Sequence, residues 1–279
     1  MAVEAAACSE GTGAMMSVIS HGQSHKGLVR QLNEDACLLL PDYKVWVVAD
    51  GMGGHAAGDV ASQLVVDTIR EQVMNAKSLE PAIIKTALEL ANEKVVAYCQ
   101  QNAQGDVGGS TVVVLLFCRE QYHVFWLGDS RLYLLRAGKL QQITRDHSQV
   151  NDMVEQGLIS AEQAESHELA NVITRAVGVE GSVEVASLSG DIRTGDIFLL
   201  CTDGLNKEIP DHEIEGYLNH SDIEAANRAL IHMTLVAGAR DNVTCILVKV
   251  NELSESCSTE HFISDSCIKT IPISFKSKF

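Results

Sequence analysis

Four aspartates stand where an apolar run stops or starts. VWVVA leads into Asp50-Gly51, VFWLG into Asp129-Ser130 and IFLLCT into Asp203-Gly204, while Asp241-Asn242 directly precedes VTCILVKV. Taken singly, Asp-Gly and Asp-Asn are turn formers. Repeated at the ends of core segments they imply more. If those ends converge, the carboxylates crowd together, and like charges that close cannot all stay ionised without cations among them. Oxygen ligands unaccompanied by paired His or Cys select Mg²⁺ or Mn²⁺ over zinc. Upstream, Arg30-Gln31-Leu32-Asn33-Glu34-Asp35 sets a guanidinium ahead of two adjacent acids. Alone this is a charged surface turn. Beside a metal cluster, the planar fork of Arg30 suits phosphate oxygens and the acids suit metal-bound waters.

The same region contains a decoy. Gly51, Gly53 and Ala56 satisfy the G-x-G-x-x-[G/A] dinucleotide pattern after a strand. Asp50, however, would set a carboxylate beside the pyrophosphate, and the following chain lacks the strand-helix alternation of that fold. The glycines read better as places where backbone approaches a ligand closely, with the Gly51 carbonyl open to a cation. None of the eight cysteines forms a C-x-x-C pair. Cys37, Cys118, Cys201 and Cys245 lie in apolar runs, where cysteine is a small buried hydrophobe. No cysteine has the clustered basic neighbours that a thiolate nucleophile needs.

The elements that must position these groups follow from hydrophobic periodicity. Short apolar runs at 36–40, 45–49, 111–118, 122–127, 132–136, 197–201 and 243–250 read as strands. Three- and four-residue apolar spacing predicts helices at 59–76, 80–104, 147–156, 160–165, 212–219 and 223–237, the last stopped by Gly238. Three strands follow one another between Thr111 and Arg136 with only short turns, which demands antiparallel pairing. The expected class is α+β. Residues 14–251 read as one domain, 1–13 as an N-terminal extension and 252–279 as a Ser-rich tail, either disordered or a docked segment.

Composition narrows the function classes. With 37 acidic against 21 basic residues the formal charge is −16, so the basic footprint of a nucleic-acid binder is missing and an anionic membrane is disfavoured. The longest strongly apolar stretch, 112–118, is too short to span a bilayer, and MAVEAAACSE has neither the basic residues nor the apolar run of an export signal. The expected location is the cytoplasm.

Together these segments resemble the metal-dependent protein phosphatases of the PPM, or protein phosphatase 2C-like, type in their bacterial form. The resemblance covers about residues 20–250 and rests on ordered motifs. They are R-x-x-N-E-D (30–35), V-A-D-G-M-G-G-H (48–55), G-G-S-T (108–111), G-D-S-R (128–131), D-H-S (146–148), N-V-I-T-R-A-V-G (171–178), T-D-G-L (202–205) and D-N-V-T (241–244). The family likeness implies a central sandwich of two antiparallel sheets flanked by pairs of helices. It implies that Asp50 bridges two Mn²⁺ or Mg²⁺ ions, that the Gly51 carbonyl binds one, and that Asp203 and Asp241 complete the other. Glu34 and Asp35 would act largely through water, Asp129 with Asp203 would form a third, weaker metal site, and Arg30 would bind the substrate phosphate. Residues 147–172 match a mobile flap that influences substrate choice. The implied reaction is hydrolysis of phosphoserine and phosphothreonine in phosphoproteins by a water bridging two ions, opposing a Ser/Thr kinase, by a monomer. A catalytically silent binding module is the alternative. Met52 stands where animal members carry a proposed general-acid histidine, leaving His55 as a stand-in, and His167-Glu168 stands where many relatives have His-Pro.

Overall fold

The computed structural model describes residues 17–53, 57–102, 108–165, 167–219 and 222–251. The extension at 1–13, the tail at 252–279 and His55 lie outside the described residues. Two sheets face each other. One runs in the order β1 (Ser17–His25), β11 (Val243–Asn251), β10 (Ile197–Cys201), β7 (Arg131–Arg136), β8 (Lys139–Gln142). The other runs β2 (Asp35–Leu40), β3 (Val45–Met52), β5 (Val112–Cys118), β6 (Gln121–Leu127), β9 (Ala186–Asp191), and the short β4 (Gly109–Ser110) pairs with the end of β3. The named pairings are antiparallel, as the short turns between the central strands require.

Strand periodicity of two explains why the central strands are apolar throughout. In β3, Val45, Val47 and Ala49 face the helices α1 (Ala57–Asn75) and α2 (Pro81–Asn102), while Trp46 and Val48 face the opposite sheet. The far sheet repeats the pattern. Leu199 and Cys201 of β10 pack beneath α5 (Asp203–Asn206), α6 (Asp211–Leu218) and α7 (Ile223–Ala237), while Phe198 and Leu200 point between the sheets. Edge-to-face rings join the two sheets, with Phe117 5.0 Å from Trp46 and 5.2 Å from Phe198. The result is four layers, helix–sheet–sheet–helix.

Three strands of this sandwich differ from expectation. β1, β8 and β9 were invisible to hydrophobic patterning because they are sheet edges with only partial burial. The helix expected from His147 is α3 (Gln149–Glu155); it begins two residues later because the Ser148 side chain caps it, accepting from the Asn151 N–H. Ser160 opens α4 (Ala161–Glu165) with a reciprocal bond to Gln163. Of the four cysteines expected in the core, Cys201 and Cys245 are buried, whereas Cys37 and Cys118 are half-buried.

Candidate active site

Strand direction alone gathers the aspartates. Because β2 runs against β3, Asp35 lies directly opposite Asp50. β3 and β6 both pair with β5, so they run the same way and bring Asp50 and Gly128-Asp129 to one end. In the facing sheet, the end of β10 lies beside the start of β11, which puts Asp203 and Asp241 at that same end. The electrostatics record the crowding. Burial pushes the Asp50 carboxyl well above its usual range, reinforced by Asp35, Asp203, Asp129 and Asp241 in that order. Burial likewise raises Asp35 to about 7 against hydrogen bonds from Thr244 and Thr202, and Asp129 to about 7 with Asp203 adding to it. Glu34 is also raised, because burial outweighs the nearby Arg30.

Residues of the quoted motifs hold these carboxylates in place. The hydroxyls of Thr202 and Thr244 donate to the same oxygen of Asp35, at 2.9 and 2.6 Å. Thr111 accepts from the Asp50 N–H at 3.2 Å and shares a 2.7 Å hydroxyl contact with Ser130, coupling the β3 and β6 ends. Asn242 ties the Arg30–Glu34 loop to β11: its Oδ1 accepts from the Glu34 N–H and its Nδ2 donates to the carbonyls of Lys26 and Leu32. Arg131 grips Asp146 through Nε and Nη2. Packing of the chain itself requires glycine at position 51. A Cβ there would lie 2.0 Å from the Gly58 carbonyl oxygen and 2.6 Å from that of Glu34. Thr111, Thr202, Asn242 and Thr244 belong to the ordered motifs, yet nothing in their spacing tells which groups they hold. Their partners lie across strands and become visible only with the register.

The donor set fits hard cations. Oδ1 of Asp35 and Oδ1 of Asp203 are buried without any hydrogen-bond partner, a costly state that a bound cation relieves. Among the described residues, no three His, Cys, Asp or Glu side chains enclose a point by themselves. Ions here therefore need carbonyl and water oxygens as well, the usual habit of Mg²⁺ and Mn²⁺. Side-chain cations hold two of the carboxylates. Arg30 Nη2 lies 2.8 Å from Asp241 Oδ2, and Lys207 donates to Asp203 Oδ2. Lys207 had no place in the sequence reading.

Beside the cluster, the segment after β8 returns to the sandwich edge. His147 stacks on Trp126 at 5.9 Å, its Nδ1 accepts from the Gly128 N–H, and its own N–H donates to the Gly128 carbonyl. Burial, helped by Arg175, lowers the His147 imidazole to about 4. Met52 and Gly53 line a cavity of about 450 Å³ with Ile173, Arg175 and Glu184.

Comparison with known proteins agrees with this geometry. The family model for protein phosphatase 2C matches residues 21–247. The chain is 35% identical over 240 residues to the serine/threonine phosphatase stp of Listeria innocua, covering 82% of this chain and 94% of that protein. Among solved structures, the catalytic domain of the Mycobacterium tuberculosis serine/threonine protein phosphatase PstP in complex with two manganese ions superimposes with a TM-score of 0.78. It is 33% identical, covering 85% of this chain and all of that one. PppA, a key regulatory component of T6SS in Pseudomonas aeruginosa, is 44% identical with a TM-score of 0.76, covering 84% of this chain and 97% of that one. With the motifs, the sandwich and the gathered carboxylates in agreement, this chain belongs to the protein phosphatase 2C family.

Proposed function

We propose that the chain hydrolyses phosphoserine and phosphothreonine esters in proteins at the carboxylate cluster, with two Mn²⁺ or Mg²⁺ ions as resident cofactors. The observation that carries this reading is the convergence of Asp35, Asp50, Asp129, Asp203 and Asp241 at one sandwich edge, with two buried carboxylate oxygens lacking any partner. When bound, the ions supply an acidified water and neutralise charge on the phosphoryl group. Asp50, the Gly51 carbonyl, Asp203 and Asp241 would hold the ions. Glu34 and Asp35 orient water. The Asp241 contact occupies one donor of the Arg30 guanidinium, which has five, so Arg30 can hold a phosphate oxygen from the cluster's rim. Residues 14–251 form the catalytic unit, and 147–172 form the flap beside it. The two manganese ions of the PstP structure and the named activities of the relatives support the reading. Nothing among them favours a catalytically silent binding module.

By this reading the enzyme opposes a Ser/Thr protein kinase and works as a cytoplasmic monomer. The serine/threonine phosphatases among the relatives support opposition to such a kinase, and among the described residues no helix is long and apolar enough to cross a membrane. The deciding experiment measures turnover of phenyl phosphate and of a phosphothreonine peptide, with Mn²⁺ or with EDTA, for wild type and Asp203→Asn. EDTA is expected to abolish activity, and the variant to lose at least about 100-fold in kcat/KM. Full activity in EDTA, or an active Asp203→Asn enzyme, sinks the two-ion reading.

A further inference from the structure

The two-ion reading leaves Lys207 without a role, yet this lysine sits inside the cluster. It follows Asp203 by four residues, just past the single turn of α5, and its ammonium donates to Asp203 Oδ2. The other oxygen of the same carboxylate, Oδ1, is buried with no partner. One aspartate therefore offers a free oxygen and an oxygen already held by a fixed cation. After Asp203, the charges that act most strongly on Lys207 are Asp129 and then Asp50. Asp129 is itself only 8% exposed, and Lys207 is the positive charge that acts on it most strongly. The Lys207 side chain is 39% exposed, so its stem reaches in from the rim and delivers the charge to Asp203.

A divalent ion at that position would need the Asp203 oxygen that Lys207 holds, and would meet an ammonium charge of the same sign. We infer that the Lys207 ammonium is a tethered cation standing in for a third metal ion beside Asp203 and Asp129, so that the centre takes up two exchangeable ions and no more. The inference rests on the two-ion reading of the same cluster. It assigns Lys207 a positioning role, holding one oxygen of Asp203 so that the other faces the ions.

Mn²⁺ titration of the metal-freed full chain tests it, with the free-ion paramagnetic resonance signal reporting uptake. Wild type, Lys207→Met and Lys207→Asp are compared, with metal-free melting curves confirming that each variant folds. Wild type is expected to take up two ions. Lys207→Asp should gain a third uptake step that wild type lacks, with Lys207→Met between them. A third ion taken up by wild type would overturn the inference. Two ions in all three proteins would overturn it equally, while leaving the two-ion reading intact. No uptake by wild type would overturn both.

Discussion

The buried carboxylates of the cluster set the pH response of the metal-free protein. Asp35 and Asp129 titrate near 7 in the fold, against an ordinary value of 3.8. Between those values the folded chain holds more protons than the unfolded one, so stability falls as pH rises across that window. The metal-free protein should therefore melt higher at pH 5 than at pH 8. Saturating Mn²⁺ should flatten or reverse that slope, because cations replace the protons; melting curves in EDTA and in Mn²⁺ across this range check both statements. A second prediction concerns Arg30, whose side chain is half-exposed and holds Asp241 through one donor. Arg30→Ala should mainly raise KM, by about tenfold, with a smaller change in kcat, if it binds ground-state phosphate. An unchanged KM would instead confine Arg30 to steadying Asp241.

Among the elements, close backbone contact between strand ends and helix starts helps to fix the site. A Cβ on Gly204 would fall 1.9 Å from the Asn242 carbonyl oxygen, so the first turn of α5 lies directly against the approach to β11. Gly204→Ala and Gly51→Ala should each lower stability by about 2 kcal/mol or more and weaken Mn²⁺ uptake, measurable by urea melting and metal titration. Gly157→Ala is a useful contrast: no atom lies within 4 Å of its Cβ position, and only its left-handed φ of +70° opposes the change. Legibility in the sequence divides along the same lines. The central strands announced themselves because both faces are buried, and the aspartates stood out because each interrupts such a run. β1, β8 and β9 did not, since an edge strand with polar neighbours carries no periodic signal. Thr202 and Thr244 could be quoted as motif letters, but their joint hold on Asp35 depends on β10, β11 and β2 meeting, which is long-range information. Lys207 looks like an ordinary helix-end lysine until Asp203 is seen beside it.

For the whole molecule, β1 and β11 lie side by side along their full lengths, from Ser17 opposite Asn251 to His25 opposite Val243. Asn242 reaches back from β11 to the loop holding Glu34, and Thr244 reaches back to Asp35. The helices α1 and α2 share with β2, β3, β5 and β6 an apolar cluster that contains no β11 residue. The half-site containing Asp35 and Asp50 then waits for a clamp more than two hundred residues downstream. During synthesis the site therefore lacks the Asn242 and Thr244 contacts until β11 has left the ribosome. Chains stalled with β11 still in the exit tunnel should show no phosphatase activity, and release of that segment should switch activity on in one step rather than by degrees.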